Sequence, residues 1–169
     1  VTLQFNVHEV LASPAPLRLG GQFELHQWLD NRAGITDAAP LNVRLTARPE
    51  AGNVIVEGEA ETQLTVPCSR CLEPCGQHVR VHIHETFTRT PLSEGSDADA
   101  HFTEDPVIDV LPYVAESILL EMPFVPLCRE DCAGLCPQCG ANRNVGSCSC
   151  REERVDPRLE DLQKFFDKQ

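Results

Sequence analysis

Residues 41–66 read LNVRLTARPEAGNVIVEGEAETQLTV, and the alternation inside that stretch decides the fold. From Val54 the even positions are Val54, Val56, Gly58, Ala60, Thr62, Leu64 and Val66, while the odd ones include Glu57, Glu59, Glu61 and Gln63. A period of two marks a strand with one buried face. Just upstream, Leu41, Val43, Leu45 and Ala47 alternate with Asn42, Arg44, Thr46 and Arg48. The intervening PEAGN is turn chemistry, so 41–48 and 54–66 are expected to pair as an antiparallel hairpin. Arg44 and Arg48 would then face the Glu57–Glu61 row across the strands, a solvated charge row rather than a catalytic one.

A third strand is expected from Gln77 to about Arg89, with Val79, Val81, Ile83 and Phe87 on one face and His78, Arg80, His82 and His84 on the other. Short strands are expected near 2–8 and 21–27, with Phe5, Phe23, Leu25 and Trp28 in the core. Residues 90–106, TPLSEGSDADAHFTEDP, hold five acidic residues and no Lys or Arg, so they read as an exposed, flexible connection. From Asp109 the period changes: Leu111, Val114, Ala115, Ile118, Leu119 and Met122 recur at three and four residues. This predicts a helix over 110–122, capped by Asp109 and ended by Pro123 and Pro126, whose apolar stripe closes the sheet. A last helix is expected over 156–169, with Asp156 as N-cap, Pro157 at its first position and Leu159, Leu162, Phe165 and Phe166 on one face.

At 169 residues, one domain with a core and an appendage fits the length. The N-terminal run VTLQFNVHEV alternates and has no signal-peptide character. No stretch approaches the ~20 consecutive apolar residues of a membrane helix. Both readings point to the cytoplasm, where thiols stay reduced. The net charge of −12 argues against a general polyanion binder. The charge is uneven, with seven basic and eighteen acidic residues in 1–127 but seven and eight in 128–169.

Six of the nine cysteines fall in 128–150, CREDCAGLCPQCGANRNVGSCSC. An odd total in a reducing compartment fits metal ligation better than a disulfide framework. Cys136-Pro-Gln-Cys139-Gly140 has the form of a zinc knuckle, and Cys148 and Cys150 complete a set of four. Cys128 and Cys132 remain, as does a pair 60 residues upstream, Cys68-Ser-Arg-Cys71. These four make a second site if the fold brings the end of strand 54–66 beside 128–132. One Zn2+ is therefore expected, and two if the leftover pairs meet. Cys75 is left as a small buried hydrophobe. Residues 128–150 contain only Leu135 and Val145 as large apolar side chains, so metal rather than a core must hold them.

Other chemistries fit less well. A redox Cys68–Cys71 couple wants a helix N-terminus, whereas this pair follows a strand. The zinc deaminase signature would need the reverse order and a His where Ile83 stands. No Walker loop, nucleophile elbow or dinucleotide fingerprint is present. No enzyme is expected, and no small-molecule substrate.

Four motifs in order, VPCSRCLEP, AESILLEMPFVPLC, EDCAGLCPQCGANRNVGSCSC and DPRLEDL, resemble the YceD family of large ribosomal RNA subunit accumulation proteins. The resemblance covers roughly 60–165. It implies a part in 23S rRNA accumulation and processing and in large-subunit assembly. It also favours treating Cys68 and Cys71 as one unit and Cys136–Cys150 as another. Contact with rRNA would fall to Arg70, Arg80, His82 and His84, and to Arg129, Arg143, Arg151 and Arg154 around the knuckle. The alternative is that the acidic domain binds a basic large-subunit ribosomal protein. The expected architecture is an α+β fold. Residues 1–127 form a β-rich antiparallel sheet or partial barrel closed by a helix, 128–155 a Cys-rich zinc appendage and 156–169 a helix.

Overall fold

The computed structural model describes residues 3–25, 34–91 and 100–150. Trp28 and the helix expected over 156–169 lie outside the described residues. The hairpin of 41–66 forms as β4 (Leu41–Glu50) and β5 (Asn53–Pro67), joined at Ala51 and Gly52. Those two turn residues have φ of 49° and 85°. Both positive values match the two-residue turn whose twist suits paired strands. Register places Arg44 opposite Glu59 and Thr46 opposite Glu57. Arg48 reaches diagonally to Glu57, Nε to Oε1 at 3.2 Å.

Strand β5 continues into β6 (Pro74–Thr88) along a second long antiparallel ladder, from Val54 opposite Phe87 to Pro67 opposite Pro74. Proline has no backbone N–H to extend a ladder. The two prolines therefore end the pairing together, and Cys68–Glu73 become the tip of this hairpin. Val79, Val81, Ile83 and Phe87 are buried on β6, while His78, Arg80, His82 and His84 are exposed on its outer face.

The remaining strands extend the sheet: β2 (Leu17–Phe23) beside β4 and β7 (Ala100–Phe102) beside β6 give the order β2-β4-β5-β6-β7, and the two-residue β3 (Asp37–Ala38) also pairs with β5. Among the described residues the sheet stays open, with β2 at one edge and β7 at the other, so the partial barrel does not close. Strand β2 spans Leu17–Phe23 rather than 21–27. Its run LRLGGQF buries fully only Phe23, so alternation gives no signal there. Strand β7 (Ala100–Phe102) lies inside the stretch expected to be a plain loop, and it pairs parallel to β6. The sheet is thus not purely antiparallel. His101 fastens β7: its Nε2 is 2.7 Å from Glu85 Oε2, and its ring lies 4.5 Å from that of Tyr113.

Among the described residues of the strand expected near 2–8, Gln4–Asn6 are extended (β1) and pair with β8 (Val107–Asp109). Asn6 then caps a six-residue helix α1 (Val7–Ala12), its side chain accepting from His8 N at 2.9 Å. Helix α2 runs Leu111–Glu121, inside the expected 110–122. Val110 is its N-cap residue, yet Asp109 Oδ1 still accepts from Leu111 N at 3.0 Å. The expected cap therefore acts one residue further out. Leu111, Val114, Ala115 and Ile118 join β1, α1 and the inner faces of β2, β4, β5 and β6 in one core. Phe87 sits within it, its ring 5.9 Å from Phe5 and 5.2 Å from Tyr113, edge-on to both. Among the described residues no helix is long and apolar enough to cross a membrane.

Candidate metal centres

The β5–β6 hairpin tip is a tight knuckle. Cys68 N donates to Glu73 O at 2.9 Å and Leu72 N to Cys68 O at 2.9 Å, with Leu72 at φ 62°. Arg70 N points at Cys68 Sγ, 3.5 Å away. The chain leaving α2 returns to this tip, where Ser69 N donates to Pro126 O at 2.8 Å and the Gln77 amide to Leu127 O at 3.4 Å. Cys128 and Cys132 follow immediately. The leftover pairs therefore meet: Cys68 Sγ lies 3.8 Å from Cys132 Sγ, and Cys71 Sγ lies 3.7 Å from Cys128 Sγ.

All four sulfurs of Cys68, Cys71, Cys128 and Cys132 lie within 4.8 Å of one another, and so do those of Cys136, Cys139, Cys148 and Cys150. A tetrahedron with zinc–sulfur bonds of about 2.3 Å has edges of about 3.8 Å. A disulfide would need about 2.05 Å. All nine cysteines are free thiols, and eight of them stand at spacings that suit a shared cation. Both clusters are able to hold a metal ion. Cys75 is buried beside the first, packed with Val66.

The second cluster is built by local turns. Gly140 N donates to Cys136 O and Cys136 N to Ala141 O, both at 2.8 Å. Gly140 has φ 73°, a conformation that favours glycine. Leu135 and Asn142 form an antiparallel bridge, and Arg143 N donates to Gly134 O at 2.9 Å. The loop between the two ligand pairs thus folds back onto 134–135.

Backbone donors tune the thiols. The N–H groups of Cys139 and Gln138 hold Cys136 down at about 6. Burial pushes Cys68 up, but N–H groups of Cys71, Arg70 and Cys128 outweigh it and bring that thiol to about 6. Burial, then the neighbouring thiols of Cys132 and Cys71, push Cys128 up to about 12. The Cys139 thiol, then burial, raise Cys150 to about 12. Four like charges cannot share one site without a cation. At neutral pH each metal-free quartet therefore keeps at least one proton among its four sulfurs. Metal binding must expel it, so affinity rises with pH and falls as protons compete. Calorimetric zinc titrations in buffers of different ionisation enthalpy should show proton release at both sites. An apparent affinity unchanged between pH 6 and pH 8 would contradict this.

The arginines proposed for RNA are mostly engaged. Arg70 donates from Nη1 to the carbonyls of Cys132 (3.0 Å) and Glu130 (3.4 Å), which ties the knuckle to the appendage. Arg80 Nη2 is 2.6 Å from Glu59 Oε2. Arg129 donates to Asn144 Oδ1 at 2.7 Å and pairs with Asp131 at 3.3 Å. His82 and His84 stand opposite Glu59 and Glu57 on the outer face of the sheet, on the long β5–β6 ladder and apart from the knuckle. Arg143 is half-buried and also engaged. Arg151 and Arg154 lie outside the described residues. Sequence reasoning missed Asn144 and Gln77, whose amides face Cys132 Sγ at 3.4 Å and Cys75 Sγ at 3.6 Å. Amides in turns and strands carry no pattern that marks such a role.

An open sheet carrying two four-cysteine clusters at one end defines a β-rich protein able to bind metal. The chain belongs to the YceD family: the model described as large ribosomal RNA subunit accumulation protein YceD matches residues 56–166. An uncharacterized protein of Mycobacterium tuberculosis is 32% identical over 151 residues, covering 83% of this chain and 72% of the relative. The uncharacterized protein YlbN of Bacillus subtilis is 31% identical over 144 residues, covering 85% and 84%. The maize chloroplastic YCED homolog 1, a large ribosomal RNA subunit accumulation protein, is 26% identical over 153 residues, covering 72% of this chain and 52% of its own. No solved structure matches the chain.

Proposed function

We propose that this chain is a non-catalytic, cytoplasmic factor in large ribosomal subunit assembly, supporting 23S rRNA accumulation and processing, with zinc at two structural sites. Family membership supports the process. The zinc reading rests on eight thiols in two quartets, each with its sulfurs within 4.8 Å of one another and two pairs of the first at 3.7 and 3.8 Å, which suits a closed all-sulfur site rather than one open to substrate.

One observation among the described residues supports the manner of action: Arg70, Arg129 and Arg143 at the cysteine end are engaged within the chain, and exposed apolar and acidic side chains stand near them in sequence. Leu72, Leu120, Phe124 and Val125 are exposed, and Phe124 fully so. Glu73, Glu121, Glu130 and Asp131 are exposed near them in the chain. A filled four-thiolate zinc site adds about two further negative charges. Exposed apolar groups with a charged rim suit a protein partner. The sign suits a basic ribosomal protein, which this end would hold during assembly. Direct rRNA contact is the second reading, favoured by the exposed His82 and His84 and by Arg44 on the outer sheet face.

A photo-crosslinking residue at Phe124, and separately at His82, distinguishes the two. The zinc-loaded full chain would be mixed with purified large-subunit proteins and with rRNA fragments. Crosslinks from position 124 to Lys/Arg-rich protein segments support the first reading. Salt-sensitive crosslinks from position 82 to rRNA, with none to protein from 124, support the second. Crosslinks from 124 only to a second copy or to residues 151–169 would remove the partner site.

A further inference from the structure

Asn144 belongs by sequence to the second cluster, in the loop between Cys139 and Cys148, but its side chain serves the first. Its Oδ1 accepts from Ala133 N at 2.8 Å and from Arg129 Nη2 at 2.7 Å. Two donors on one atom require that atom to be the oxygen, because an amide nitrogen has no acceptor capacity. The NH2 group is thereby turned toward Cys132 Sγ, 3.4 Å away, and toward Asn142 Oδ1 at 2.8 Å. Asn142 Oδ1 also accepts from Asn144 N at 3.0 Å, while its backbone pairs with Leu135. The amide is half-buried and has no slack: each polar atom is assigned.

We propose that Asn144 couples the two metal sites. Closing Cys136, Cys139, Cys148 and Cys150 around one ion fixes the loop that carries Asn144, and Asn144 then donates to the Cys132 thiolate in the other quartet. Filling the second site pre-organises a sulfur donor of the first, so the two bind with positive cooperativity. Coupling of binding free energies is reciprocal, so filling the first site also tightens the second. Hydrogen bonds from groups outside the ligand set typically change metal affinity 10–100-fold. The inference rests on both quartets being metal sites, but the role of Asn144 goes beyond that reading.

The test uses the reduced, metal-free full chain titrated with cadmium, followed by 113Cd NMR, which separates the two tetrathiolate environments. In the unsubstituted chain, two resonances are expected. Asn144→Asp is the informative variant, because its carboxylate keeps both bonds accepted by Oδ1 and removes the NH2 group that donates to Cys132 Sγ and to Asn142 Oδ1. It should shift the resonance of the Cys68–Cys132 site and weaken that site about 10-fold or more. Substituting Cys148 and Cys150 together by Ser should weaken the same site by a similar factor. Adding Asn144→Asp to that pair should then cost little more. An unchanged first site in Asn144→Asp, or full additivity with the Cys148/Cys150 change, overturns the coupling and leaves the metal reading intact. Absence of any tetrathiolate resonance in the unsubstituted chain overturns both.

Discussion

Stripping metal with a strong chelator is expected to unfold residues 128–150 and leave the sheet standing. The asymmetry follows from what each part buries. The main core contains Phe5, Phe23, Leu25, Leu41, Leu64, Ile83, Phe87 and Ile118, all essentially inaccessible. Residues 128–150 offer Leu135, which is half-buried, and Val145, which is 87% exposed. One half-buried leucine contributes at most about 2 kcal/mol. Ordering more than twenty residues costs on the order of 1–2 kcal/mol each in backbone entropy alone. The hydrogen bonds of the segment contribute about 1 kcal/mol apiece and do not close that gap. Structural zinc in small peptides supplies roughly 10–16 kcal/mol, a contribution on the scale of what is missing. Hydrogen exchange should show amides such as Cys136, Gly140 and Arg143 losing protection after chelation, while Val43, Ala60 and Val81 keep theirs. Retained protection at Cys136 and Gly140 after verified metal removal would show that the segment folds without metal.

Gly58→Ala is expected to be the most damaging small substitution in the sheet. A Cβ on Gly58 would lie 2.1 Å from Arg44 O and 2.8 Å from Leu45 Cα. Both obstacles are backbone of the adjacent β4, so no rotamer change relieves them. The φ of 151° adds strain for any residue with a side chain. Accommodating a methyl group means separating β4 from β5 at the centre of the sheet, next to Leu45 and Ile83. A loss of about 4 kcal/mol or more is expected, at the upper end of single substitutions. Gly52→Ala is the control. Its φ is 85°, but nothing lies within 4 Å of the added Cβ. Its cost should be about 1 kcal/mol, from backbone strain alone. Urea denaturation of the two variants measures the difference. Similar midpoints would mean that β4 and β5 approach less closely at Gly58 than the fold requires.

The long hairpins were legible because most of their burial is one-sided. Residues 41–47, 60–66 and 79–83 alternate, so periodicity and structure agree there, although Ile55 is buried as well as its neighbours and Glu85 interrupts the apolar row of β6. The first half of strand β2 escaped because Gly20 and Gly21 carry no side chains to alternate. The short elements α1 and β7 contain six and three residues, too few for either period to show. The apolar alternation of VTLQFNVHEV runs through Leu3, Phe5 and Val7, but Val10 follows Val7 by three residues, a helical spacing within a stretch too short to stand out. Cysteine spacing indicated the second quartet. The first depended on topology: only the β5–β6 hairpin, ended by Pro67 and Pro74, carries Cys68 and Cys71 to the chain leaving α2. The use of the arginines was not legible. Whether Arg70 meets a phosphate or a carbonyl of Cys132 depends on where residue 132 lies, which local sequence does not encode. Asn144 was hidden for the same reason, since an asparagine in a polar loop reads as turn chemistry.

Eight of the nine cysteines are proposed to form two separate metal centres, one of them joining the sheet to the appendage. Zinc content of the purified, reduced full chain, measured by mass spectrometry alongside a thiol count, decides this. Two zinc ions per chain with one slowly reacting thiol, the buried Cys75, are predicted. The content should fall by one when Cys71 and Cys128 are both replaced by Ser. One zinc per chain with Cys68, Cys71, Cys128 and Cys132 freely reactive would contradict it.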